Sequence, residues 1–442
     1  MCKRAVCLAI LILLLGISSV TYASPQTIVP GVLWYDSASD VLSAHGGGIL
    51  KIGSTYYWFG EYKDSDPNNV INSYMGHVTH QFVAHTCYSS TDFAHWTFEN
   101  YVLTQQASGD LGPGRVVERP KVIYNNSTGQ YVMYMHIDNN RYGDRRAGVA
   151  TCPTVNGNYT YLRGFKPLGN DSKDMTIFKD DDGSAYLISG SINIYRLTAD
   201  YLDVSNLTVA ISSSGAEAPA MFKTGGVYYL LNSNSTWWTS NDNYYHTASA
   251  IGGPWTKRGD FTPGSTNTWN SQTTFVQPIQ GSATTSYVFM ADRWVEGDFG
   301  NSTYIWLPLI VNGTTLTVDW YNQWTIDAAT GAWAPAGCTA STTHVQSIVC
   351  GTAAGSQGKK YGQVTVTINN NCGNPVSGAT VTGTFTGSYN ETRSGVTNSS
   401  GVAVITTTTQ VKSPAYTFCV NNVTHATLTY NAGANVETCD SY

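Results

Sequence analysis

A chain of 442 residues with 12% charged residues, 12% aromatic residues and a formal net charge of -6 offers no basic footprint for nucleic acid and no polybasic stretch for an anionic membrane. Tyr, Thr, Ser, Asn and Gly crowd it instead, which suits an all-β fold of many short strands and turns. A polysaccharide fits this balance better than nucleic acid or a membrane, and a monomer without cofactor or metal is expected.

The chain opens "MCKRAVCLAILILLLGISSVTYASPQ". Lys3 and Arg4 precede an apolar run that ends in small residues, the order of a secretory signal peptide, so residues 1–23 are read as a leader and the protein as secreted and extracellular. Its compartment is then oxidising. Without Cys2 and Cys7 seven cysteines remain, an odd number whose pairing the spacing does not give. Asn-x-Ser/Thr sequons such as Asn158, Asn234 and Asn390 make glycosylation expected where the host performs it.

From residue 24 to 335 one pattern returns five times: "AHGGGILKIGSTYYWFGE", "VERPKVIYNNSTGQYVMYMH", "KDMTIFKDDDGSAYLISG", "AEAPAMFKTGGVYYLLNSN" and "SQTTFVQPIQGSATTSYVFMAD". Each has a polar residue, an apolar pair, a turn and a second apolar run with Tyr, which reads as strand, hairpin turn, strand. Five such units predict a five-bladed β-propeller. The starts of equivalent strands converge in that fold, so His45, Glu118, Asp174, Glu217 and Gln272 are expected to meet. A lone Glu217 reads most simply as half of an ion pair; three carboxylates at one phase of a repeat read better as a site, because like charges in a cleft raise one another's pKa. "KDDDGS", residues 179–184, reads as a hairpin turn rather than a calcium loop. "STWWTS", with Trp237, reads as a sugar-contacting rim.

After "GAWAPAGC" the composition turns to small residues, read as a linker over 336–360. Residues 361–442 alternate apolar and polar between Gly, Asn and Pro turns, the pattern of a small β-sandwich; the stretch "NPVSGATVTGTF…TNSSGVAVITT" resembles Ig-like modules appended to secreted enzymes, so an Ig-like domain acting as a spacer or stabiliser is expected.

The motifs "AHGGGIL", "YYWFGE", "ERPKVIYN", "DMTIF", "EAPAMF" and "WNSQTTFV", in that order, resemble glycoside hydrolase family 43 and within it the exo-β-1,3-galactanase subfamily. The resemblance implies inversion, with an acid protonating the glycosidic oxygen while water attacks from the opposite face. It assigns the acid to Glu217, its pKa tuning to Asp174, a further acidic role to Glu118, and the subsite for the terminal galactose to Glu61 and Tyr142. Most of the family supplies an Asp base from the first blade; here His45 is followed by Gly46, Gly47 and Gly48, and the resembled subfamily shares that absence. Gln272 matches the residue that holds the water, as an amide or as its imidic-acid tautomer, and His45 is the second choice as base. The expected activity is release of galactose from the non-reducing ends of β-1,3-galactan, such as arabinogalactan backbones. The rival readings are an α-L-arabinofuranosidase or β-xylosidase of the same fold, or a galactan-binding propeller that does not cleave.

Overall fold

The computed structural model describes residues 25–442 except 73–74, 190, 212–214, 338–339, 372–374 and 399–400. The expected leader lies outside the described residues, as do Cys338 and Cys372. Among those described, no helix is long and apolar enough to cross a membrane. The chain is all-β and divides into two compact units. The first runs to Asp319 and takes in Thr325–Ala334; the second holds Trp320–Trp324 and Pro335–Tyr442.

The first unit contains five four-stranded sheets, in each of which every strand pairs with the next along the chain. The first sheet is His45–Ile52, Thr55–Glu61, Ala84–Ser90 and Thr97–Thr104. The second is Arg115–Asn125, Gln130–Asn139, Arg146–Cys152 and Thr160–Phe165. The third is Met175–Lys179, Ala185–Ser189, Asn193–Leu197 and Val204–Ala210. The fourth is Ala216–Thr224, Val227–Asn234, Tyr244–Ala248 and Thr256–Asp260. The fifth is Gln272–Gln280, Thr285–Arg293, Thr303–Asn312 and Thr315–Thr317. Each repeated passage falls on the first two strands of one sheet, and the "KDDDGS" stretch makes the turn between Lys179 and Ala185, closed by Gly183 N donating to Asp180 O at 3.0 Å. The first strands lie side by side in chain order, and that of the fifth sheet returns against that of the first.

Apolar layers between successive sheets hold this arrangement. Phe59 and Leu103 of the first sheet pack with Met133 and Ile137 of the second. Val132 and Tyr134 of the second pack with Ile177 and Leu187 of the third, and Ile188 and Ile194 of the third with Met221 and Leu230 of the fourth. Between the fifth sheet and the first the filling is aromatic. Trp58 lies 4.6 Å from Trp306 and 4.8 Å from Tyr304, ring centre to ring centre, contacts that add about 0.5–1.5 kcal/mol each to the burial. Cys87 and Cys152 are buried free thiols.

In the second unit two four-stranded sheets share one apolar core, with Val364, Val366 and Ile368 from one and Val381, Phe385 and Phe418 from the other. Burial alternates along Lys360–Asn370 as period 2 requires. Cys419 and Cys439 are disulfide-bonded. The linker expected over 336–360 is corrected: Thr342–Ala354 is a 13-residue strand paired with Lys360–Asn370. Its small residues hid a sparse apolar alternation, of which Val345 and Ile348 are buried, and Thr and Val suit a pleated surface.

Candidate active site

Four of the five polar leaders, Glu118, Asp174, Glu217 and Gln272, reach one pocket, and four of the five first strands share an irregularity near their start. In the first, second, fourth and fifth sheets the register slips just after His45, Glu118, Glu217 and Thr273, each time by one extra residue on the first strand. Such a bulge breaks the period-2 alternation and re-aims the side chain beside it. Three of the bulges use a left-handed residue: Gly46 at φ 61°, Arg119 at φ 57° and Ala218 at φ 50°. At Gly46 space also demands glycine, because a Cβ there would sit 2.2 Å from Glu61 Oε1.

The pocket is lined by Glu61, Glu118, Tyr142, Asp174, Glu217, Trp237 and Gln272, all expected from the sequence. His45 is not among them, which corrects both its substrate-binding and its base assignment. It is 1% exposed, its Nδ1 lies 3.0 Å from Asp292 Oδ1, and its ring stacks on Tyr304 at 4.7 Å. His45 stands at the same register position as Glu118 and Glu217, before the same bulge; what distinguishes it is the buried Asp292 carboxylate, which holds its ring.

The sequence reading missed Arg119, Lys63, His136, Ser235 and Lys173, while Trp238 of the expected rim does line the pocket. Arg119 is the hub. Its Nη2 lies 2.9 Å from Asp174 Oδ2 and donates to Gln272 Oε1 at 2.6 Å, while its backbone N–H donates to Glu61 Oε1 at 2.8 Å. Lys63 pairs with Glu61 at 2.8 Å and lies 3.9 Å from Glu118. Tyr142 donates its hydroxyl to Glu118 Oε1 at 3.0 Å. His136 lies between Asp138, at 2.9 Å, and Glu118, at 3.6 Å. A signal for His136 and Asp292 exists in the sequence: they face Glu118 and Gln272 across the ladder, at the polar end of each repeat's second apolar run.

These partners divide the carboxyl groups. Burial opposes charge on Glu118, but the facing His136, 3.6 Å away, and the charge of Lys63 outweigh it and hold Glu118 ionised, down to about 2. Burial likewise opposes charge on His136, and Asp138 with Glu118 overcomes it, raising the imidazole to about 10. Glu217 goes the other way: burial first, and the charge of Asp174 second, push it up to about 7. Ser235 donates to Glu217 Oε1 at 2.6 Å, which leaves Oε2 to carry a proton into the pocket.

Gln272 is fixed in orientation. Its Oε1 accepts from Arg119 and from Trp294 Nε1 at 3.0 Å, both groups that can only donate, and its Nε2 donates to Ser233 Oγ at 3.1 Å. Ligand atoms of Glu118, His136 and Asp174 lie within 4.8 Å of one another, a spacing that could admit a cation. Arg119 already engages Asp174, and Asp138 already engages His136, so the set is committed to ion pairs.

The pocket thus combines a carboxyl group pushed up to about 7, a carboxylate held ionised and aromatic faces, the equipment for acid-assisted cleavage of a sugar. Comparison with known proteins gives the same class. The model of the glycosyl hydrolases family 43 matches residues 51–291. A search of the curated proteins finds no significant match. Among solved structures, an exo-β-1,3-galactanase from Phanerochaete chrysosporium crystallised with β-1,3-galactotriose is 33% identical at a TM-score of 0.67, over 88% of this chain and 94% of that one. It has also been crystallised with galactose. An exo-β-1,3-galactanase from Clostridium thermocellum is 28% identical at a TM-score of 0.64, over 89% of this chain and 91% of that one.

Proposed function

The chain belongs to glycosyl hydrolases family 43, and on that premise we propose that it is an inverting exo-β-1,3-galactanase that releases galactose from the non-reducing ends of β-1,3-galactan. The observation that carries the reading is the carboxyl group of Glu217, pushed up to about 7 and presented beside Asp174 and the ionised Glu118 in a pocket lined by Trp237, Trp238 and Trp294. Similarity to galactanases bound to galactose and galactotriose supports the sugar.

In this reading Glu217 protonates the glycosidic oxygen and Asp174 tunes it. Glu61, Glu118 and Tyr142 bind the hydroxyls of the terminal galactose, and the ring lies against Trp237. Gln272 holds the attacking water. An imidic hydroxyl on its Oε1 would meet a donor on each side, so Gln272 acts as an amide whose remaining N–H faces the water. The five sheets are read as the blades of a five-bladed β-propeller, supported by the family's propeller fold and by the ring of first strands. The second unit is read as an Ig-like sandwich serving as spacer. Secretion, glycosylation and a monomeric state are proposed on the sequence alone.

The test is proton NMR of linear β-1,3-galactan after addition of the full chain, beside Glu217→Gln. Free α-galactose should appear ahead of its β anomer, and the variant should lose about 10²–10⁴ in rate, the worth of a general acid, with unchanged thermal unfolding. Silence on galactan with release from arabinan or xylan would replace the reading by its rival.

A further inference from the structure

The pocket has two unlike sides. On one, Tyr142, Trp237 and Trp238 form an aromatic wall, braced from behind by the hairpin of Val70–Asn72 and Val78–His80. Trp238 Nε1 donates to Val78 O, Thr79 Oγ1 bonds the Tyr142 hydroxyl at 2.7 Å, and the His77 ring stacks on Trp237 at 4.7 Å. On the other side the pocket continues past Glu217, Ser235 and Lys173 into a groove walled by Arg145, Asn170, Asp171 and Asn193. A general acid stands beside the bond it breaks, so the sugar chain that leaves lies on the Glu217 side, in this groove. That placement rests on the reading of Glu217 as the acid.

The groove's charge is not what a neutral galactan needs. Asp171 takes Arg145 Nη1 at 3.1 Å and Lys166 Nζ at 2.6 Å, two cations on one carboxylate. Lys173 adds a third cation and has no ion pair among the described residues, whereas Arg119 and Lys63 are held by Asp174 and Glu61. Glu217 contributes no charge while it is protonated. This chain, of net charge -6, therefore gathers an excess of positive charge along the path of the leaving sugar. Asn170 and Asn193 supply the donors and acceptors that sugar hydroxyls use.

We propose that this groove is a subsite for a departing galactan that carries a carboxylate, a uronic acid residue, which Lys173 binds with Arg145 and Lys166 behind it. The experiment compares kcat/KM of the full chain for β-1,3-galactobiose with that for the same disaccharide bearing a glucuronosyl group on O6 of its reducing galactose. At low salt the charged substrate should be preferred roughly fivefold, the order of one partly exposed ion pair, through a lower KM. The preference should shrink towards one in 0.5 M NaCl and in Lys173→Gln, and persist in Lys173→Arg. Taking the ratio of two substrates on one variant cancels any change in folding or in Glu217. Equal turnover of both by the unaltered protein, or a preference that Lys173→Gln leaves intact, overturns the subsite while the galactanase reading stands. Turnover of neither overturns that reading and the subsite with it.

Discussion

Replacing Asp174 with Asn should move the alkaline limb of activity down. The exchange keeps the side chain's shape and leaves Arg119 a carbonyl to bond, but removes the negative charge beside Glu217. Raising Glu217 from 4.5 to about 7 corresponds to roughly 3 kcal/mol against its charged form. Burial supplies the larger part and persists in the variant. Asp174 is the second cause, and a like charge in a cleft is worth on the order of one pKa unit. The acid must be protonated to work, so activity is full below its pKa and lost above it. With the pKa falling by about one, the protonated fraction at pH 7 drops from about one half to about one tenth, and at pH 5 it hardly changes. The assay is kcat/KM on β-1,3-galactobiose from pH 4 to 8, which reports the free enzyme's acid. Loss of Asp174's own contacts would scale the whole curve without moving its limb. A limb that stays near pH 7 or moves up refutes the electrostatic account.

Lys173→Gln should do the reverse: Lys173 lowers the Glu217 pKa, so the limb should rise above pH 7 in the same assay, and a fall would contradict the placement of that ammonium. Ser235→Ala should also raise the limb, by removing the hydroxyl that favours the Glu217 carboxylate, and should lower kcat by freeing the acid to rotate; an unmoved limb would separate Ser235 from the acid. Trp306→Ala should cost about 3–5 kcal/mol of stability, read as a lower urea midpoint, because Trp306 is 1% exposed between the fifth sheet and the first; a loss below 1 kcal/mol would mean those rings do not join the two sheets.

Much of this was legible because repetition carries it. A turn and two apolar runs recur at each of the five places where a sheet begins, and the leading polar residues inherit a common location from equivalent strands. His45 escaped for a physical reason. It stands where Glu118 and Glu217 stand, before the same bulge, but Asp292 of the fifth sheet takes its Nδ1 at 3.0 Å, a contact between sheets that no local pattern encodes. "HGGG", "ERPK" and "EAPA" do mark the bulges themselves, since Gly and Pro gather where a ladder is interrupted. Arg119 was hidden by its own neighbour: adjacent to Glu118 in sequence, it spans to Asp174 and Gln272 on other sheets, a contact no local pattern encodes. The strand at Thr342–Ala354 was lost because Ser, Thr and Ala mark linkers by composition as readily as they fill a sheet.

The distribution of partners sets Glu217 apart from the other buried carboxyl groups. Glu61 has Lys63 at 2.8 Å, Asp174 has Arg119 at 2.9 Å, Glu118 has His136 at 3.6 Å, and Asp292 has His45 at 3.0 Å. Each therefore faces a basic side chain, although at Glu61 burial outweighs Lys63 and raises the carboxyl group. Glu217 is bonded by the neutral hydroxyl of Ser235, and no ion pair to it occurs among the described residues. Burial then acts against its charge, and the neighbouring Asp174 adds to that penalty. The same distribution accounts for an amide at position 272. A carboxylate in place of Gln272 would meet the Arg119 guanidinium where Oε1 now accepts at 2.6 Å, and such a pair holds a carboxylate ionised and weakly basic. A neutral amide there leaves Arg119 engaged with Asp174 and presents an N–H to water, so the position orients the nucleophile without competing for the guanidinium that pairs with Asp174.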